Sequence, residues 1–120
     1  MPNHLDQRLA VGIALFNRAQ FFAAHEIWED LWHESVGNDK QFLQGLIQIA
    51  AGYLKVESGI RNGALKLLGR GVAIVRQFAP SAMGLALNEF VAAVEADLRR
   101  VQGATVSQTN LQIVRPPLLG

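Results

Sequence analysis

The chemistry-bearing side chains of this 120-residue chain crowd into one run, His25-Glu26-Ile27-Trp28-Glu29-Asp30-Leu31-Trp32-His33. In a helix, a turn of ~100° per residue places His25, Glu29 and Trp32 inside an arc of roughly 60°. Counted from His25, Phe21, Phe22, Trp28, Trp32 and Val36 lie within roughly 60° on either side, while Glu26, Asp30 and Glu34 turn away. The pattern predicts His25 in the middle of an apolar face, with Glu29 one turn on as its nearest partner. An imidazole so placed needs a partner, because an unpaired buried donor or acceptor costs ~1–3 kcal/mol.

Several chemistries suit that pair. Imidazole and carboxylate one turn apart can share a divalent ion such as zinc, iron or manganese, which makes His25 and Glu29 candidate metal ligands. Two ligands are too few, and His33 lies ~12 Å further along the axis. The zincin pattern fails because Glu29 stands where its second histidine belongs. Asp30-x-x-His33 is half of a di-iron motif with no second copy, and His4 is the remaining imidazole that could join. As candidate catalytic residues, His25 and Glu29 could form an oriented general base, the carboxylate fixing the tautomer. No nucleophile motif or phosphate loop accompanies them, since Gly69-Arg70-Gly71 falls inside a predicted helix. A third reading is structural: His25, Glu29, Gln44 and Gln48 form a polar network between the second and third helices, roofed by Trp32. The same five residues could line a pocket for a small polar ligand.

The elements that must position these groups are helices. Leu5, Leu9, Ile13 and Phe16 mark the first, and Asn17-Arg18-Ala19-Gln20 is a tight connection into the second, which runs to about Ser35. Val36-Gly37-Asn38-Asp39 ends it, with Asn38 or Asp39 able to cap a third helix from about Lys40 to Glu57. Phe42, Leu46, Ile49 and Tyr53, with Leu43, Ile47, Ala50 and Leu54 beside them, make that helix apolar around most of its circumference and hence central. After the turn Ser58 to Asn62, a fourth helix spans Gly63 to Phe78 with Leu67, Leu68, Val72 and Val75 inward. Pro80 closes it, and Ser81 caps a fifth, Ala82 to Val101, along Leu87, Val91, Val94, Leu98 and Val101. The one strand signal, Leu111 to Val114, is too short for a sheet. The expected architecture is all-α, with about five helices in a domain over 1–102 and a non-helical C-terminal tail over 103–120.

A shift of 40 positions pairs Ala10 with Ala50, Gly12 with Gly52, Ala19 with Gly59, Ala24 with Ala64, Ile27 with Leu67 and Trp28 with Leu68. It predicts two stacked antiparallel helical hairpins, each crossing closely at a small residue, with the fifth helix as a cover. His25 then matches Leu65, a core position, and Trp28 belongs to the core while Trp32 edges the pocket.

Composition narrows the partners. Eleven basic against ten acidic residues leave a net charge of +1, which is no footprint for nucleic acid or an anionic membrane. Lys66 and Arg70, with Arg61 and Arg76 nearby, and the ridge of Glu26, Asp30 and Glu34 read as solvated faces. The absence of cysteine excludes disulfides and thiolate sites. Without a basic leader or a bilayer-length apolar run, the expected location is cytoplasmic. Two hairpins are fewer than the three repeats that usually make an array stable. That points to a homo-oligomer, or to the apolar stretch Leu111 to Leu119 as a cover.

His25-x-x-x-Glu29-x-x-Trp32 is preceded by Phe16-Asn17 and Phe21-Phe22. It is followed by Gln44-Gly45-Leu46-Ile47-Gln48-Ile49-Ala50-Ala51, Gly63-Ala64 and Leu67-Leu68. This ordered set, over roughly residues 5 to 78, resembles the bacterial and archaeal family called domain of unknown function 309. The resemblance implies a small all-helical domain in which His25, Glu29 and Trp32 are functional, and it implies no particular activity. The expected function is binding of a small polar ligand or a metal ion at His25, Glu29, Trp32, Gln44 and Gln48, with hydrolysis as a possible chemistry. The alternative is a non-enzymatic helical-hairpin interaction module in which the pair is structural.

Overall fold

Leu9, Ile13 and Phe16 are buried along one side of the first helix in the computed structural model, which describes residues 6–103. Five helices follow one another: α1 (Gln7–Asn17), α2 (Phe21–Glu34), α3 (Gly37–Glu57), α4 (Arg61–Arg76) and α5 (Asn88–Gly103). Each packs on the next in chain order. The Asp6 side chain caps α1 by accepting from the Arg8 N–H at 2.8 Å. The third helix starts earlier than its sequence suggested, with Val36 as N-cap and no side-chain cap. Asp39 lies instead in its first turn, where its charge favours the positive end of the helix dipole.

The 40-residue shift has a physical counterpart. Ala19 (φ 62°) and Gly59 (φ 73°) are both left-handed and end the first helix of each hairpin in the same way. Ala19 N–H donates to the Phe16 carbonyl and Gln20 N–H to that of Leu15, each at 2.9 Å. Gly59 N–H donates to Val56 at 3.1 Å and Ile60 N–H to Lys55 at 2.8 Å. These are paired Schellman bonds, which satisfy the carbonyls a helix end leaves free.

The crossings match as well. A Cβ on Gly12 would lie 2.0 Å from Trp28 Nε1, and one on Gly52 would lie 2.8 Å from Leu68 Cδ2. Each hairpin thus seats one large side chain in a glycine notch, and the Trp28 indole also donates to the Leu9 carbonyl at 3.3 Å. Residues 22–31 and 62–71 alternate between buried, half-buried and exposed in the same order, position by position.

α3 is central, as expected, burying ten residues from Phe42 to Val56. Around the Phe16 ring stand Phe21 at 5.2 Å, Tyr53 at 5.7 Å, Phe90 at 5.8 Å and Trp28 at 5.9 Å between centroids. One aromatic cluster therefore joins α1, α2, α3 and α5.

The start of the fifth helix is a correction. Residues 81–86 form a small hairpin, β1 (Ser81–Ala82) against β2 (Leu85–Ala86), turning at Met83 and Gly84 with φ of 50° and 80°. Two successive positive φ values are the mirror-image turn that suits the twist of paired strands. Leu85 and Leu87 are both fully buried with Ala86 between them, an alternation of period two that helix spacing cannot supply. Leu87 N–H donates to the Pro80 carbonyl at 2.9 Å and closes the loop. The expected strand signal at Leu111 to Val114, with the rest of the tail after Gly103, lies outside the described residues.

Two groups on α5 were not among its expected inward residues: Phe90 and Asp97. Among the described residues, Asp97 is the one buried charged side chain. The Tyr53 hydroxyl donates to Asp97 Oδ2 at 2.5 Å, and Arg100 pairs with Oδ1. Burial pushes the Asp97 carboxyl above the usual carboxylate range, although Tyr53 and Arg100 both favour its charged form. Burial, reinforced by Asp97, likewise raises the Tyr53 hydroxyl. Arg61 donates to the carbonyls of Val101 (3.1 Å) and Gln102, and Arg76 pairs with Glu95. Those two arginines, read from sequence as solvated, secure α5 instead.

These contacts carry four stability predictions, each checked by denaturant unfolding. Gly12→Ala should destabilise by ~1–3 kcal/mol through the clash with Trp28. Gly69→Ala, with nothing within 4 Å of the new Cβ, should instead stabilise by ~0.5–1 kcal/mol. At Ala19 a non-glycine residue in the left-handed region costs ~1–2 kcal/mol. Ala19→Gly relieves that cost against an unfolded-state penalty of ~0.4–1 kcal/mol, so a net gain of up to ~1.6 kcal/mol is expected. A carboxyl titrating higher in the folded than in the unfolded chain contributes stability that is present below ~pH 3.9 and lost as pH rises through the folded value. The stability of the wild type relative to Asp97→Asn should therefore fall as pH rises from that point.

Candidate functional site

Along α2 the buried stripe is Phe21, Ala24, Trp28 and Leu31. At ~100° per residue its centre lies roughly 80° from His25. His25 is consequently at the edge of the apolar face, its side chain 24% exposed, and not in the middle as the letter pattern suggested. The pattern was misleading because it counted Phe22, which is 57% exposed, and Val36, which is 82% exposed and lies beyond the helix. Ala24 and Leu31 face inward in their place. The matching residue Leu65 is also only half-buried, so the position is a flank in both hairpins and not a core site.

The structure brings His25 and Glu29 together, with Nε2 3.5 Å from Oε2. Glu29 is 47% exposed, so the pair opens to solvent on the carboxylate side. The other ring nitrogen points the opposite way: Nδ1 of His25 is buried and has no hydrogen-bond partner. The same holds for Oε1 of Gln48 on α3 and Oδ1 of Asn17 at the end of α1. Gln44 and Gln48 are both half-buried. The Phe22 ring stacks on the imidazole, with centroids 6.1 Å apart and planes inclined by 21°.

Trp28 is core, 1% exposed. Trp32 is half-buried and packs against the core from its margin. The Lys40 ammonium sits 4.2 Å from its ring centroid, a cation–π contact. Lys40 was not singled out in the sequence, although the short link between α2 and α3 necessarily sets the first turn of one beside the last turn of the other. His33 is exposed and meets the edge of Trp32 at 5.1 Å.

The acidic ridge is only partly solvent-facing in effect. Arg8 clasps Glu34 with two bonds of 2.9 Å and also holds Asp6, tying the start of α1 to the end of α2. The guanidinium keeps both carboxyls below their usual range.

Among the described residues, no group of three or more His, Cys, Asp or Glu side chains is placed to hold a metal ion. His25 and Glu29 provide two donors, and His4 lies outside the described residues. No helix among those residues is long and apolar enough to cross a membrane. What the pair can do is orient one imidazole: a carboxylate at Nε2 favours a proton there and leaves Nδ1 as an acceptor.

The family model described as "Domain of unknown function (DUF309)" matches residues 9–67. The matched stretch contains Asn17, His25, Glu29, Trp32, Gln44 and Gln48, and stops before Asp97. No curated protein matches the chain.

Proposed function

The chain belongs to the DUF309 family, and from that premise we propose that the flank of α2, together with α3, binds a small polar ligand through His25. One observation carries this reading. His25 Nδ1 is buried and unpaired at a position where the other hairpin carries Leu65, so packing alone does not demand a polar group there. An unmet buried acceptor costs ~1–3 kcal/mol, and a ligand donor would relieve it. Gln48 Oε1, on the helix packed against α2, offers a second acceptor of the same kind.

In this reading Glu29 is a positioning residue that holds the Nε2 proton, Trp32 and Phe22 shape the rim, and Gln44 and Gln48 supply amide contacts. With Nδ1 free as an acceptor, His25 could also take a proton from a bound hydroxyl or water, which is the form hydrolysis would use. The donor count favours an organic ligand over a divalent ion, for which His25 and Glu29 would need further donors from the ligand or water.

The test is His25→Leu, the residue of the matching position. Unfolding of the variant should be as hard as that of the wild type, or harder. A panel of nucleosides, sugars, amino acids and carboxylic acids should raise the Tm of the wild type for at least one class and leave the variant unmoved. Saturation at about 100 times Kd adds ~2.7 kcal/mol, enough to read. Loss of several kcal/mol in His25→Leu, with no compound and neither Zn2+ nor Mn2+ shifting the wild type, would instead make the imidazole structural.

A further inference from the structure

Given the polar-ligand reading of the α2 flank, on which this rests, we propose that the group bound there is a small organic cation with several N–H donors, of the guanidinium or primary-ammonium class. The two unpaired buried atoms of the flank are His25 Nδ1 and Gln48 Oε1. With the ring proton held at Nε2 beside Glu29, both are acceptors. Packing sets them at one level. Phe21 stacks on Tyr53 and the Lys40 ammonium sits over Trp32, so α2 and α3 run antiparallel. Counted at equal rise from either contact, His25 comes level with residues 47–49 of α3. Phe21 and Trp32 lie within ~40° of His25 around α2, so the imidazole belongs to the face turned toward α3. Gln48 ends the row Lys40, Gln44, Gln48 at i, i+4 spacing, whose first member reaches Trp32.

The charge of the ligand follows from Glu29. Its carboxylate meets the imidazole at Nε2 and is 47% exposed. Among the described residues, no lysine or arginine forms an ion pair with it. Lys40, on the same row of α3 as Gln48, is engaged with Trp32, ~12 Å along the axis from Gln48. Three acceptors, one of them anionic, would leave a bound carboxylate or phosphate without a donor. A single metal ion fits no better, because Nδ1 and Nε2 project from opposite edges of the ring and one ion cannot meet both Nδ1 and the Glu29 oxygen. A guanidinium or ammonium bonds the two acceptors through separate N–H groups and keeps its charge near the carboxylate. The Phe22 ring, 57% exposed and stacked on the imidazole, offers that charge an aromatic face. Leu65 and Gly69, at the matching positions of the second hairpin, supply neither acceptor nor charge.

The test is a titration of the isotope-labelled full-length protein with butylguanidinium, butylammonium, butylurea, butyrate and Zn2+, following the side-chain NMR resonances of His25 and Gln48. Both cations should shift them saturably, butylurea more weakly and butyrate not at all. Glu29→Gln keeps a carbonyl that accepts from Nε2 and removes the charge, so the Kd of each cation should rise about tenfold with amide dispersion intact. An equal or tighter response to butylurea, butyrate or Zn2+, or a cation Kd unchanged in Glu29→Gln, would overturn the cation and leave a site at His25 standing. Silence toward both cations overturns it as well. Only if the panel of nucleosides, sugars, amino acids and carboxylic acids is also silent does the polar-ligand reading fall with it.

Discussion

Everything in the bundle is referred to one crossing, the seat of the Trp28 indole in the notch left by Gly12. With no Cβ on α1, the indole approaches the backbone closely enough to donate to the Leu9 carbonyl. That sets the separation of α1 and α2 and places Phe16 against Trp28. Leu68 in the notch of Gly52 repeats the device. α3 serves as the second helix of one contact surface and the first helix of the other hairpin, which explains why it is buried almost all round. Without a side chain to fill or a notch to receive it, neither hairpin would have a defined register.

What the sequence made legible follows from this. Helices with one-sided or all-round apolar faces announced themselves by period, and Ala19 with Gly59 and Gly12 with Gly52 exposed the repeat because backbone geometry restricts those positions to small residues. Residues 82–87 read as helix in the sequence because Ala82, Leu85 and Ala86 suit one. Only the pairing of two positive φ values at Met83 and Gly84 with alternating burial at Leu85 and Leu87 decides for a hairpin. Asp97 was unreadable for another reason. A carboxylate on an amphipathic helix is ordinarily placed in water, and its partner, Tyr53, lies on a different helix 44 positions away.

The site was half legible. Spacing along one helix was enough to bring His25 and Glu29 together, since i and i+4 side chains share a face whatever the rest of the chain does. Which way that face points depends on neighbours, and there the count of apolar letters failed: Phe22 weighed as heavily as Ala24, yet Ala24 is fully buried and Phe22 is 57% exposed. The unpaired atoms on Asn17, His25 and Gln48 are a property of three helices taken together, so no single stretch of sequence could reveal them.

Two copies of one framework in a single chain also provide an internal control. Where the hairpins agree, as at Ala24 and Ala64 or in the glycine notches, the residue is explained by packing. Where they differ at a matching position, the framework tolerates both choices, and the more costly one asks for another cause. His25 against Leu65 and Glu29 against Gly69 exchange an apolar or absent side chain for an ionisable one. Trp32 against Val72 exchanges a buried aliphatic group for a half-buried indole. Phe22 against Asn62 exposes an aromatic ring where an amide is sufficient. All four departures fall on α2, while α4 holds the unexceptional version of each. The first hairpin carries a buried, unpaired ring nitrogen and an exposed phenyl group at positions where its twin folds with Leu65 and Asn62.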